Sequence, residues 1–430
     1  MHMTRTLLPW LVVLATVSVW GPAQAEPGDA AAELTLRADG RGANPLGPLA
    51  AARALQPGLA AAPADGLLLQ AELRDTWRWR TLGTGLALHA NGLLAHQWLE
   101  AGQGQADFSR VNELNASADL GAWQLSAGKK VLGWDVGYGF RPNDVVQQET
   151  RRTQFGQTPE GRPLLMAEHF SADTAWSLVW AQPQRWNRPE AEQRGAGESA
   201  LAARVYRRDG AIDWHGFARL GRHSGASLGA ALAWVATDAL EIHASWRMLQ
   251  RHDGWASAAG ASATPLTGNP WQWVRRPGTA QWLIGAQWTG EARQSLLVEA
   301  WRDGTALPDA QWRDWGLRTA ALARLADQQP ALAGAVAGNL AWQATPFNAA
   351  SLRRDNLFAR LAWQPEGWQL SLDGLWQPED GGRIVTAGLQ WQGDRWRIDA
   401  SWRFYGGPDG ALLAQLPLRR SAVLAASWAF

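Results

Sequence analysis

From Leu67 to the C-terminus the chain alternates, residue by residue, between apolar and polar side chains, and this period of two limits it to strands. In Arg395–Phe404, Trp396, Ile398, Ala400, Trp402 and Phe404 fall on one face. Arg395, Arg397, Asp399, Ser401 and Arg403 fall on the other. The pattern recurs in Leu240–Met248, Trp282–Trp288, Leu357–Trp363 and Trp368–Trp376. A soluble sandwich would alternate too, but its aromatic residues would not gather at strand ends. Here Trp363, Trp368, Trp376, Trp391, Trp396 and Trp402 all lie beside turns. The strands run about 10 residues, the length a tilted strand needs to cross a bilayer. Lipid against the apolar face explains both features.

Composition agrees. There are 29 tryptophans against 9 phenylalanines and 3 tyrosines, and the indole ring suits the membrane–water boundary. Hydrophobic residues make up 46 %, yet mean hydropathy is −0.27. After Glu26 no stretch approaches the roughly 20 apolar residues of a spanning helix, so entry into a membrane must be by strands. The balance of 40 basic and 39 acidic residues argues against a nucleic-acid partner. The absence of cysteine excludes disulfides, thiolate chemistry, Cys-type zinc sites and a lipidated N-terminus. No His spacing suits a metal and no Gly-rich loop suits a phosphate, so no metal or cofactor is expected.

The N-terminus reads as a signal peptide, residues 1–25. Met1–Arg5 is basic, Leu7–Trp20 is apolar, and Ala23-Gln24-Ala25 offers a cleavage site before Glu26. Residues 26–65 are expected to hold a first short strand, Glu33–Asp39, and a mobile loop rich in Ala, Gly and Pro. Residues 66–430 are expected to form one all-β, antiparallel transmembrane barrel of about 18 strands, within roughly 16 to 20. Leu317–Ala337 has helical spacing with a stop at Pro330 and is read as a helical loop insertion, outside the barrel or tucked into it.

The last residues, Leu424, Ala426, Trp428 and Phe430, alternate with Val423, Ala425, Ser427 and Ala429. This resembles the terminal signal of bacterial outer-membrane barrels, whose final strand ends on an aromatic residue. The resemblance implies that the barrel-assembly machinery reads Trp428 and Phe430, and that the chain resides in the outer membrane against lipid and lipopolysaccharide. With Phe430 at the periplasmic end, the turns at Gly121, Ala172, Asp209-Gly210, Thr237-Asp238, Gly290-Glu291, Pro365-Glu366-Gly367 and Gly393-Asp394 become periplasmic. The segments around 41–65, 95–107, 133–161, 183–198, 251–278 and 405–419 become long external loops.

The most distinctive run is Gly128-Lys129-Lys130-Val131-Leu132-Gly133-Trp134-Asp135-Val136-Gly137-Tyr138-Gly139-Phe140-Arg141-Pro142-Asn143-Asp144, holding the chain's only two lysines. It is similar to a pattern in alginate-export-like and related substrate-channel porins, where a strand ends in Gly-basic-polar before a Trp, a Phe and an Asp. The similarity rests on Gly128, Lys129 or Lys130, Trp134, Phe140 and Asp144. A Lys stands where those families often carry Gln. By parity Lys130 faces the lumen and Lys129 the outer rim, where it could reach lipid phosphates. Asp135, Arg141, Asp144, Glu149, Arg151 and Arg152 crowd the loop that follows. Charged groups at a narrowing select solutes in wide pores, so these residues with Lys130 are the expected channel lining. The alternative is an external, solvated loop.

The functional expectation is a non-enzymatic channel for a small hydrophilic solute. An excess of inward arginines, Arg74, Arg204, Arg219, Arg247 and Arg360 among them, suggests that the solute is anionic. Two rivals stand: a non-conducting barrel serving an export or surface-assembly complex, and a barrel enzyme using Asp213 with His215 or Glu241 with His243. No serine pairs convincingly with either histidine.

Overall fold

The computed structural model describes residues 25–26, 29–59, 61–81, 84–100, 104–148 and 158–430. Of the expected signal peptide all but Ala25 lies outside them. Among the described residues eighteen strands close into one antiparallel ring. In chain order they are β1 (Ala31–Ala43), β2 (Gly66–Thr81), β3 (Thr84–Leu99), β4 (Gly104–Leu120), β5 (Trp123–Lys130), β6 (Arg162–Phe170), β7 (Thr174–Ala181), β8 (Ala200–Asp209), β9 (Ile212–Gly221), β10 (Gly225–Thr237), β11 (Leu240–Ser257), β12 (Trp271–Thr289), β13 (Gln294–Asp303), β14 (Asp355–Trp363), β15 (Trp368–Gln377), β16 (Gly382–Gln392), β17 (Trp396–Gly406) and β18 (Leu418–Ala429). Each pairs with its neighbours in sequence. The ring closes where β18 meets β1, from Ala429 opposite Glu33 to Leu418 opposite Ala43. Closure gives every strand a partner on both sides, which a barrel in lipid requires. A further two-residue strand, Ala25–Glu26, pairs with Trp79 and Arg78 ahead of β1.

The strand expected over Glu33–Asp39 is thus a full member of the barrel, and the barrel begins at Ala31, ahead of Gly66. Its alternation is hard to read because Gly40, Gly42, Ala31, Ala32 and Ala38 dilute it. Two expected external loops shrink. Segment 95–107 is mostly β3 and β4, with His96 opposite Asp107. Segment 251–278 is mostly β11 and β12, with Gly254 opposite Val274. Above the lipid a strand needs no apolar face, so backbone pairing continues after the alternation fades.

The outer face carries the lipid-facing set. Leu178, Leu220, Leu228, Ile284, Leu361, Leu372 and Leu424 point outward and are exposed. Tryptophans ring the end where Phe430 lies: Trp123, Trp176, Trp214, Trp288, Trp363, Trp368 and Trp396 stand at or near strand ends there. Trp396 stacks on Trp428 with centroids 5.8 Å apart. Trp376 and Trp402 stand near the other end of β15 and β17. Among the described residues no helix is long and apolar enough to cross a membrane. The strands do so instead. On β15, Leu372 sits midway between Trp368 and Trp376, and Leu372→Arg should destabilise the barrel by about 2–4 kcal/mol. Ser371→Arg, on the inner face, should cost far less. Reversible denaturant unfolding in lipid vesicles measures both, and equal costs would reverse the assignment of faces.

The two ends differ. At the Phe430 end the described connections are short: 121–122, 171–173, 210–211, 238–239, 290–293, 364–367 and 393–395. At the other end lie 44–65, 131–161, 182–199, 258–270, 304–354 and 407–417. The insertion in 304–354 holds two helices, α2 (Asp309–Gln328) and α3 (Ala333–Trp342), broken at Pro330. A further helix, α1 (Pro48–Leu55), occupies 44–65. Ala52 of α1 packs on Leu322 and Ala326 of α2 and on Val336 and Leu340 of α3. Asn339 of α3 is bonded to Leu266, in the connection between β11 and β12. That connection and the one bearing α1 leave the ring on nearly opposite sides, so the helices reach over the external mouth. Trp312 and Trp315 of α2 form a second core with Phe347, Leu412 and Leu413.

Candidate functional site: a loop folded into the barrel

The inner wall of β6–β10 is apolar at mid-height. Leu164 and Met166 (β6), Val179 (β7), Ala202 (β8), Phe217 (β9) and Ala231 (β10) are all buried. Water does not cover them. Leu132, Trp134, Val145 and Val146, from the loop after β5, do. The loop enters the lumen because its apolar side chains find this wall, and burying each is worth about 1.5–3 kcal/mol.

Polar contacts fix its path. The Asp135 carboxylate accepts Ser245 Oγ of β11 at 2.7 and 2.9 Å, Asn143 N at 2.5 Å and Val136 N at 2.9 Å. Burial raises its carboxyl above the usual range, against the bonds from Asn143, Ser245 and Val136 and the charge of Arg141. Further on, Glu299 of β13, fully buried, accepts Tyr138 N and Gly139 N at 2.7 Å each. His243 Nε2 lies 3.0 Å from the same carboxylate. Tyr138 stacks on Phe358 of β14 at 5.7 Å and Phe140 on Trp301 of β13 at 5.8 Å. The chain then returns. Pro142 O accepts Arg247 of β11 at 3.0 Å, and Asn143 Nδ2 donates to Ala230 O, Ser245 Oγ and Trp246 O. Asn143 approaches the wall this closely only because residue 229 is glycine: a Cβ there would stand 1.8 Å from Asn143 Oδ1.

The expected site residues scatter around this frame. Lys130 shares a face with Ser126 and Met166, the inner one, and no ion pair of Lys130 is found among the described residues. Lys129 lies on the outer side, opposite Leu114. Its ammonium is held by Glu160 at 2.5 Å and Val111 O at 2.6 Å, and this bond lowers the Glu160 carboxyl. Asp135 and Asp144 are drawn into the loop's interior rather than facing open lumen, Asp144 being buried. Arg141 donates Nε to Gly137 O at 2.8 Å. Glu149, Arg151 and Arg152 lie outside the described residues. Trp428 and Phe430 sit side by side, 4.2 Å between centroids, with Phe430 exposed.

Glu299, Asn143, Ser245 and Gly229 were missed. The usable signal was parity. Positions such as Leu164, Met166, Val179 and Phe217 face inward yet are apolar, where a water-filled lumen wants polar residues. Of the two histidines weighed for catalysis, His243 stands 3.8 Å from Glu241 but lies closer, at 3.0 Å, to Glu299, while His215 contacts Arg204 and Asp213 accepts Tyr206 Oη instead.

No family model matches the chain, and no curated protein matches it. Among solved structures, an engineered triple variant of Rhodopseudomonas blastica porin is 9 % identical, with 94 % of this chain and 100 % of that one covered and a TM-score of 0.40. Pseudomonas aeruginosa OccK7 (OpdD) is 10 % identical, with 93 % and 99 % covered and a TM-score of 0.49.

Proposed function

We propose that the chain forms an outer-membrane channel for small hydrophilic solutes bearing an anionic group, narrowed by the loop from Val131 to Gln147. The carrying observation is a closed barrel, apolar outside, whose lumen is partly filled by a loop anchored at mid-height. The wall that the loop leaves open is polar, with Thr35, Gln70, Asp373, Thr386, Arg403 and Ser427 on inner faces. Its charges are mostly neutralised locally: Arg360 with Asp373 at 2.9 Å, Arg37 with Asp39 at 2.9 Å, and Arg397 with Glu33 and Asp399 at 3.1 and 3.0 Å. The excess of inward arginines therefore counts for less than it did in the sequence, and the anionic preference rests on Lys130 and Arg74. Glu149, Arg151 and Arg152 belong to the same proposal.

Single-channel recording in planar bilayers tests conduction. Lys130→Glu should move the reversal potential across a salt gradient toward cations. The shift should be larger in dilute salt, because screening acts over roughly 10 Å at 0.1 M. Lys129→Ala should leave it alone. A reversal potential indifferent to Lys130 at all salt concentrations would remove that residue from the pore lining. The helices over the mouth favour a second reading, a non-conducting barrel within an export or surface-assembly complex. A purified barrel that carries no current would select it.

A further inference from the structure

One pocket in the lumen holds charges that no described residue neutralises. Its volume is about 210 Å³, and it lies between the wall of β1, β2, β17 and β18 and Thr158, at the far end of the infolded loop. Charged residues two apart on one strand face normally collapse together in this barrel, as Arg37–Asp39 and Arg397–Asp399 do. Glu72 and Arg74 have the same spacing on the inner face of β2 and do not pair. Glu72 is turned aside by Thr158 Oγ1, which donates to its two oxygens at 3.0 and 2.8 Å, and by Asn91 Nδ2 at 2.8 Å. These donors are neutral, so none of them is a countercharge to the carboxylate. Arg74 is exposed to the lumen and, among the described residues, has neither an ion pair nor a hydrogen bond through its guanidinium. Arg397, the other guanidinium of the pocket, is already held by Glu33 and Asp399.

We propose that this pocket is a binding subsite for a small zwitterion of the α-amino-acid kind, Arg74 taking its carboxylate and Glu72 its ammonium. The two Cα atoms stand about 7 Å apart along the strand, so the long side chains bracket a head group carrying both charges on one carbon. The guanidinium fork suits a carboxylate. A simple anion would meet Glu72 and a simple cation would meet Arg74, so each would be repelled by one of the pair. The subsite rests on the channel reading and names the class of solute that the channel passes.

Three probes of equal chain length separate the cases: L-norvaline carries both charges, pentanoate only the carboxylate, and pentylamine only the ammonium. Full-length barrel, checked for folding by heat-modifiable mobility, is recorded in planar bilayers in potassium chloride. Binding of radiolabelled norvaline to the same protein in detergent is measured by equilibrium dialysis. Norvaline should block the current and bind, with pentanoate and pentylamine at least about tenfold weaker. Arg74→Gln and Glu72→Gln should each weaken norvaline by roughly tenfold. Glu72→Gln should at the same time improve pentanoate, which a merely structural loss would not do. A barrel that conducts but treats the three probes alike, or norvaline binding indifferent to both substitutions, overturns the subsite and leaves the channel standing. A barrel that neither conducts nor binds norvaline overturns both.

Discussion

Barrels carrying Glu299→Ala should pass more current per open channel than the parent. The Glu299 carboxylate is fully buried and holds the loop by two backbone amides at 2.7 Å, with His243 at 3.0 Å. Its removal takes the acceptor from the half-buried amides of Tyr138 and Gly139, at about 1 kcal/mol each, and the loss falls on the loop because the strands of the wall keep their own ladders. Asp135 with Ser245, and Asn143 with the carbonyls of Ala230 and Trp246, would still hold the loop's base. Adding Gly229→Val strikes that second anchor, since the new Cβ would overlap Asn143. The loop contacts strands from β6 to β14, about half of the ring, so full release should raise conductance by roughly twofold. Glu299→Gln, which keeps one acceptor oxygen, should fall between. Single-channel conductance of the three variants in potassium chloride decides the matter. Parental conductance in the properly folded double variant would mean that the loop does not limit the pore.

Deleting Phe430 should lower the amount of assembled barrel in the outer membrane several-fold. The last strand closes the ring: Trp428 lies opposite both Trp396 and Leu34, and Phe430 N donates to Ala32 O at 2.9 Å. An unclosed β18 leaves two strand edges open to proteases and to aggregation. Phe430 itself is 62 % exposed and packs beside Trp428, so its loss removes little folded-state contact. A large defect would therefore report on assembly rather than on stability. Phe430→Trp, which keeps a terminal aromatic ring, should restore most of the yield. Fractionation with heat-modifiable mobility measures assembled protein, and truncated chain found at the parental level would remove the assembly role from Phe430.

Much of the architecture was legible because lipid acts on each residue separately. A side chain facing hydrocarbon must be apolar whatever its neighbours do, so strands such as Trp396–Gly406 and Trp368–Gln377 declare their faces one residue at a time. The tryptophans at their ends mark the bilayer boundary in the same way. Strand number followed from counting these segments, and strand direction from the short turns on the Phe430 side. Where lipid ends, the signal ends. The upper halves of β3, β4, β11 and β12 are held by backbone pairing that asks nothing of the side chains, and they read as loop. The ends of β1 beyond Glu33–Asp39 carry small residues, which give too little contrast between the faces.

The loop from Val131 to Gln147 illustrates the opposite case. Its residue types marked it as unusual, and Lys130, Asp135, Arg141 and Asp144 were singled out for their charge. Charge alone could not say which of them would spend that charge inside the protein. Asp144 is buried and Asp135 is bonded to Ser245 of the wall, while Glu299, far along the chain, and the uncharged Asn143 hold the loop in place. The sequence by itself determined the closed barrel, its two faces and its two ends, because those follow from local rules of period two and transfer to lipid. Only the tertiary structure decided which loop enters the lumen, which charges pair, and that Glu72 and Arg74 stay apart. Those outcomes depend on groups far apart in the chain, such as Thr158 meeting Glu72 or Tyr138 meeting Glu299, and no periodicity records a contact of that kind.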